Sequence, residues 1–371
     1  MEQDILKSIT RLRHELHRHP ELSLYETETK VRLMNFLRAN TRLEVVDMGQ
    51  WFYALYSTGA DNPSIAFRAD MDALPIEEAP GLMPHASENR GISHKCGHDG
   101  HSAALAAVAL ELDRHPVDKN VYLIFQHAEE IGKGGEACAA FLRDQGIQEV
   151  YAFHNLPGLP FGVLASPVGV AQFASTGMIL RFLGQESHAS YPEKGRNPAF
   201  AIAELISALP TLTAAERWQG MTLITVIQVQ VGDRAFGISA GSGQLLLTVR
   251  GEFEAELDPL LLQLETMARE KAEDYGLTVE IEYDDRFPET RNHPEAVKKV
   301  LQAAADVGIP TAPLEERFRA SEDFGYYTKA AKGAIFYIGT GDGPALHTPE
   351  YGFPDGLLPL AADLFFRLAE L

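Results

Sequence analysis

Cysteine is scarce in this 371-residue chain: only Cys96 and Cys138 occur, which excludes a disulfide scaffold. Positive charge is also in short supply. Lys and Arg total 32 against 52 Asp and Glu, a formal net charge of −20, and the resulting mean field repels nucleic acid and anionic membrane surfaces. No apolar run approaches the roughly 20 residues that span a bilayer. The opening Met1-Glu2-Gln3-Asp4-Ile5-Leu6-Lys7 has no signal-peptide core. Internal repeats and low-complexity tracts are missing too. These absences predict a cytoplasmic protein whose partners are small molecules, with no nucleic acid and no membrane. What is present is 45% apolar and 23% charged residues, the balance of a globular protein with a substantial core. The length points to two domains.

Ile5, Leu6, Ile9, Leu12 and Leu16 recur at helical spacing before Pro20, predicting an amphipathic N-terminal helix. His14, His17 and His19 crowd its end among Arg11, Arg13 and Arg18, and no acidic residue shares their spacing, so they read as structural or surface residues. Short apolar runs then end repeatedly in polar clusters. Ser64–Phe67 leads into Arg68-Ala69-Asp70-Met71-Asp72, Asn120–Phe125 into Gln126-His127-Ala128-Glu129-Glu130, Val150–Phe153 into His154-Asn155, and Ala334–Ile338 into a Gly-rich turn and His347. Helical stretches at His101–Arg114 and Glu136–Asp144 separate the first three. Continuous apolar strands alternating with helices predict an α/β fold with a mostly parallel sheet covered on both faces. In such sheets the site lies beyond the carboxyl ends of the strands.

The pattern changes over residues 174–287. Gly177–Leu183, Thr222–Val231, Gln244–Glu252 and Leu277–Tyr283 read as strands, and Pro198–Leu212 and Leu257–Tyr275 as helices. The order β-α-β-β-α-β predicts a small two-layer α+β domain. It is inserted between residues 1–173 and 288–371 of the first domain, where strand and helix alternation resumes.

Chemistry concentrates in Cys96-Gly97-His98-Asp99-Gly100-His101. A thiolate and an imidazole two residues apart can reach one metal from a loop, and Asp99 can orient a neighbouring imidazole. A cysteine nucleophile with a separate His as its base is the alternative. Glu129-Glu130 follows a buried strand: one carboxylate can bind metal while the other acts on water as general base. His154 and His347 also end strands. With Cys96, His98 and Glu130 they supply enough donors for two metals sharing a bridge. The residual positive charge of two such ions would attract a carboxylate-bearing substrate despite the overall acidity.

The segments LRHELHRHPELSLYETET, AFRADMDALPI, KCGHDGH, FQHAEE, AFHN, SHASYPEKGRNP, SEDFGYY and ALHTPEYGFPD together resemble the amidohydrolase branch of the aminoacylase/carboxypeptidase metallopeptidases. That branch includes hippurate hydrolases, auxin-conjugate hydrolases and N-acetyldiaminopimelate deacetylases. The segments run in order from near residue 12 to near residue 355, so the resemblance spans essentially the whole chain. It implies a binuclear metal site with Cys96 as bridge and His98, Glu130, His154 and His347 as the other ligands, and with Glu129 as general base. Asp72 is taken with Asp99 as a carboxylate supporting the ligands from behind. The inserted domain matches a lid and dimerisation domain, implying a homodimer. His188 matches an oxyanion-stabilising histidine, and Asn197 and Arg250 fall where relatives bind the substrate's α-carboxylate.

Two departures stand beside the ligands. Ser93-His94-Lys95 replaces a common Met-His-Ala, and His127 replaces a proline. The implied reaction is metal-dependent hydrolysis of an N-acyl amino acid by metal-bound water. The ligand set suits Zn or Mn first and admits Ni or Co. Competing readings are a dipeptidase or aminoacyl-conjugate hydrolase with the same site, a non-catalytic metal-binding protein, and a cysteine-nucleophile hydrolase.

Overall fold

The computed structural model describes residues 1–59, 62–314 and 318–371. The chain divides into two compact units. One comprises Met1–Ala171, Thr290–Phe318 and Glu322–Leu371, the other Gln172–Glu289 with Arg319–Ser321.

The first unit opens with α1 (Gln3–Arg18) and α2 (Thr27–Asn40). It continues through β1 (Glu44–Asp47), β2 (Phe52–Tyr56), β3 (Ser64–Asp70), α3 (His98–Arg114), β4 (Asn120–Gln126), α4 (Gly135–Asp144), β5 (Glu149–Pro157), β6 (Leu164–Ala165) and β7 (Gly169–Gln172). The second unit carries β8 (Ala174–Leu183), β9 (Ser187–His188), α5 (Ala199–Leu212), β10 (Thr222–Val231), β11 (Ile238–Ser239), β12 (Ser242–Gly251), α6 (Glu254–Asp274) and β13 (Thr278–Phe287). The chain then returns through β14 (Thr290–Asn292), α7 (Pro294–Asp306), α8 (Gly325–Ala330), β15 (Lys332–Gly341) and α9 (Leu357–Glu370).

The main sheet has the order β1-β2-β4-β3-β5-β15-β6. The four central strands, β4, β3, β5 and β15, are mutually parallel, and antiparallel strands close both margins. Alternation explains why the central strands read as unbroken apolar runs. Along β4, Val121, Leu123 and Phe125 join the core beneath α1, α3 and α9, while Tyr122 and Ile124 join the core against α4 and α8. Along β15, Ala334, Phe336 and Ile338 face the first core and Ile335 and Tyr337 the second. Both faces are covered, so the interior of these two strands is apolar on both sides. The amphipathic helix α1 buries Ile5, Ile9, Leu12 and Leu16, each worth about 1.5–3 kcal/mol on burial. In α3, Ala103, Ala104, Ala106, Ala107 and Ala109 are all buried, and their short side chains let the helix sit close against its neighbours.

The second unit is an antiparallel sheet of order β10-β12-β8-β13. Met178, Leu180 and Phe182 of β8 and Leu245, Leu247 and Val249 of β12 pack with Leu205 and Leu209 of α5 and Leu257, Leu260 and Leu264 of α6. The expected β-α-β-β-α-β order is present as β8-α5-β10-β12-α6-β13. Among the described residues, no helix is long and apolar enough to cross a membrane.

Candidate metal centre

Parallel neighbours bring their carboxyl ends together, and β4, β3 and β5 lie side by side in that order. Asp70 ends β3, Glu129 and Glu130 follow β4, and His154 lies near the end of β5. The loop entering α3 supplies the rest. Gly97 precedes the helix at φ +106, a left-handed conformation that disfavours any side chain. A Cβ there would run into the Asn155 amide. The chain therefore turns tightly against β5, and Cys96, His98 and His101 project from one short stretch.

His98 is fully buried. Its Nδ1 lies 3.0 Å from the Asp72 carbonyl and 3.1 Å from Asp72 Oδ1. Facing two oxygens, Nδ1 holds a proton, so Nε2 is the nitrogen that would face a metal. That Nε2 is buried without a hydrogen-bond partner, and so is Glu130 Oε1. The two are 3.7 Å apart, and Asp70 Oδ2 lies 3.7 Å from the same nitrogen and Glu129 Oε2 3.8 Å. His154 Nδ1 donates to the Asn155 carbonyl at 2.7 Å, while its Nε2 lies 3.4 Å from Cys96 Sγ. His347 adopts φ +61, held by its N–H donating to the Lys95 carbonyl at 2.9 Å. Its Nε2 lies 3.5 Å from Glu130 Oε2.

Two donor groups result. Cys96, His98 and His154 offer ligand atoms within 4.8 Å of one another, and so do Cys96, Glu130 and His347. Cys96 belongs to both. Similar proximities link Asp70 with His98 and His101, His98 with Glu129 and Glu130, and Asp70 with Glu129 and Glu322.

Negative charge dominates the site. Arg68, fully buried, donates to Asp70 Oδ2 at 2.7 Å, Glu322 Oε1 at 2.9 Å and Asp323 Oδ1 at 2.7 Å, but one guanidinium cannot neutralise this gathering. Burial, with Glu322 and Glu130, pushes the Glu129 carboxyl well above the usual carboxylate range. Burial also raises Glu130, with Asp72 and Asp70 adding to it against the pull of His98, to about 8. The Cys96 thiol goes up through burial and the charges of Glu130 and Glu129. Burial works against a proton on His98, yet Asp70, Asp72 and Glu130 lift it to about 10. An orphaned imidazole nitrogen, an orphaned carboxylate oxygen, a thiol and an excess of buried anion are what a divalent cation requires. The residues fit a metal pair.

Asp72 sits behind His98 and also accepts from Ser23 Oγ at 2.7 Å and from the Glu130 N–H at 3.0 Å. Asp99 turns elsewhere. It accepts from Arg13 Nη1 at 2.9 Å and from His17 Nδ1 at 2.8 Å, so the imidazole it orients is that of His17 in α1. His14 is likewise structural, stacking on His85 with ring centroids 3.7 Å apart, and the half-buried His19 lies 3.3 Å from Glu15. Of the departures, Lys95 is buried with its Nζ donating to Glu78 Oε1 at 2.6 Å and to the Tyr351 carbonyl at 2.8 Å. His127 is buried with Nδ1 unpartnered.

The remaining expected residues belong to the second unit. His188 is exposed on β9, opposite Ile238 of β11, and its Nδ1 accepts the Ser190 N–H at 3.1 Å. Asn197 donates to Ser239 Oγ at 3.1 Å and accepts the Ala199 N–H at 2.9 Å, at the start of α5. Arg250 Nη1 donates to Ser321 Oγ at 2.7 Å and to the Arg319 carbonyl at 3.3 Å. Sequence reasoning left Arg68, Glu322, Asp323 and Glu26 without roles. The motifs AFRAD, SEDFGYY and YETET carried them, but nothing in their spacing shows that they meet.

Fold and site together define a metallohydrolase built on a parallel α/β sheet with an inserted α+β unit. Residues 66–371 match the sequence model of peptidase family M20/M25/M40, and the chain belongs to that family. It is an enzyme that hydrolyses carbon–nitrogen amide bonds. It is 28% identical to an N-acetylcysteine deacetylase of Bacillus subtilis strain 168, over 97% of this chain and 95% of the relative. An N-acetyldiaminopimelate deacetylase of Limosilactobacillus fermentum is also 28% identical, over 93% of each. The crystal structure of the Bacillus subtilis YXEP protein, a dinuclear metal-binding peptidase of the M20 family, matches at a TM-score of 0.82. The two are 26% identical, with 100% of this chain and 98% of that one covered.

Proposed function

We propose that the enzyme releases amino acids from N-acyl amino acids, N-acetyl amino acids among them, using two divalent ions. The observation that carries this reading is Cys96, shared by two donor groups that also take in His98, His154, Glu130 and His347, with the Glu129 carboxylate close by. Cys96, His98 and His154 would hold one ion, and Cys96, Glu130 and His347 the other. Zn²⁺ or Mn²⁺ suits a thiol, imidazoles and a carboxylate, and Ni²⁺ and Co²⁺ are admissible. When bound, such a pair polarises the amide carbonyl and makes water nucleophilic at neutral pH.

The chain's own residues do the rest. Glu129 accepts the proton of the attacking water and passes it to the leaving amine nitrogen. His188 donates to the developing oxyanion. Arg250, whose partners are a hydroxyl and a carbonyl, keeps its charge for the substrate carboxylate, with Asn197 beside that role. Asp72 fixes the His98 ring. The second unit serves as lid and pairing surface between two copies. A thiol ligand requires a reducing compartment, which favours the cytoplasm.

The test is a screen of metal-reconstituted protein against N-acetyl, N-benzoyl and longer N-acyl amino acids, with dipeptides in parallel. Amino acid release from one or more N-acyl compounds is expected. Glu129→Gln should lower kcat by about 10²–10⁴-fold with metal content unchanged. Cleavage of dipeptides alone would move the substrate class, and near-normal turnover by Glu129→Gln would remove the base assignment.

A further inference from the structure

The turn that carries Glu129 and Glu130 is held from outside itself. Ala128, immediately before Glu129, adopts φ +51, a left-handed conformation unfavourable for any residue with a Cβ. Its N–H donates to Glu26 Oε1 at 2.7 Å, across 102 positions of sequence. The Glu130 N–H donates to Asp72 Oδ2 at 3.0 Å. The N–H groups of the residues on either side of Glu129 are thus each held by a buried carboxylate from a distant segment. Within the turn, the Lys133 N–H donates to the Ala128 carbonyl at 3.0 Å and the Gly132 N–H to the Glu129 carbonyl at 2.8 Å.

Glu26 stands at the N-cap position of α2, yet its side chain makes no cap bond there. That work is done by Glu21, whose carboxylate accepts the Glu28 N–H at 3.2 Å and the Thr29 N–H at 2.7 Å. Glu26 is only 5% exposed, so it is neither a solvated surface acid nor a helix cap. Burying a carboxyl is costly unless its bonds repay it, and its bond outside its own segment goes to the turn of the proposed base.

We propose that Glu26 is a positioning residue that holds Ala128 in its left-handed conformation and so aims Glu129 at the reacting centre and Glu130 at its ligand position. The inference deepens the proposed function and rests on the assignment of Glu129 as base. It accounts for the YETET segment, to which no chemistry is otherwise attached.

The test compares Glu26→Leu, Glu26→Gln and Glu26→Asp, together with Glu26→Leu/Ala128→Gly. Glu26→Leu removes the acceptor and should lower kcat by about 100-fold with little change in KM, the scale of a small misplacement of a reacting group. Glu26→Gln still offers an amide oxygen and should stay within about threefold of wild type. Glu26→Asp keeps the carboxyl group while withdrawing the acceptor by one methylene. It should lower kcat by about 10-fold even if the Leu variant does not fold. Glycine at 128 adopts positive φ without strain, so the double variant should regain kcat over Glu26→Leu alone.

Calorimetric titration of the chelator-stripped proteins with Mn²⁺ gives a second readout. One of the two binding steps should weaken in Glu26→Leu and Glu26→Asp and stay intact in Glu26→Gln. Wild-type kcat in Glu26→Asp, an equal loss in Glu26→Gln, or no recovery with Ala128→Gly would each overturn the proposal. If wild-type protein hydrolyses no N-acyl amino acid, the functional reading fails separately, and the Mn²⁺ titrations still decide the role of Glu26.

Discussion

Lys95 shows how one side chain can hold two loops. Its ammonium is buried against Glu78 at 2.6 Å and the Tyr351 carbonyl at 2.8 Å, and its own carbonyl accepts the His347 N–H at 2.9 Å. One residue before Cys96, it ties the loop of the thiol to the loop of His347. Burial works against ionisation of Glu78. Hydrogen bonds from His17, Lys95 and the Ser87 N–H nevertheless hold its carboxyl down, from the ordinary 4.5 to about 2. Folded protein therefore binds fewer protons there than unfolded chain between those values. The stabilisation is complete above pH 4.5 and is lost as pH falls through about 2. Glu78→Gln leaves the Lys95 charge buried and unpaired, so it should cost about 3 kcal/mol or more at neutral pH. In urea titrations the gap from wild type should narrow as pH drops through that window. A constant gap would show that the pair does not act through charge.

Among elements, the central strands and their following polar residues were legible in sequence, because strands buried on both faces carry apolar runs that give way to polar residues toward their carboxyl ends. The margins were not. β1 reads Glu-Val-Val-Asp with both ends exposed, and α8 spans only Gly325–Ala330, too short for a helical period to show. The candidate donors Cys96, His98, Glu130, His154 and His347 could be singled out from the sequence together, as metal-binding residue types after apolar runs and in the Cys-Gly-His turn, and the structure brings their ligand atoms near one another. The roles of Asp72 and Asp99 were less legible, since each carboxylate lies near imidazoles and only folding shows which it meets. Glu26 was illegible because its partner lies 102 positions away. Gly97 tests how far the entry to α3 shapes the site. Gly97→Ala combines positive φ with a clash against Asn155. It should cost about 2–4 kcal/mol and weaken Mn²⁺ binding. Gly308→Ala, at φ +75 with open space around it, should cost about 1 kcal/mol and leave Mn²⁺ affinity intact. Equal effects of the two on metal binding would argue against a shaping role for the α3 entry.

For the whole molecule, the charge of −20 and the acid-rich site act differently on partners. The overall field repels polyanions, whereas the buried carboxylates create a local demand for divalent cations. The second unit also leaves β10 at the edge of its sheet, with Val226, Ile227 and Val229 exposed. An apolar open edge invites pairing with another copy. Ile227→Asp should therefore convert a dimer to a monomer in sedimentation velocity, and a monomeric wild-type protein would remove the pairing role. The central claim is that hydrolysis depends on metal held by Cys96 and its neighbours. Its most direct test follows amino acid release from an N-acyl substrate before chelation, after exhaustive chelation, and after adding back Mn²⁺ or Zn²⁺. Activity should vanish on stripping and return with about two ions bound per chain. Activity that survives complete removal of metal would contradict the account and point to Cys96 as a nucleophile.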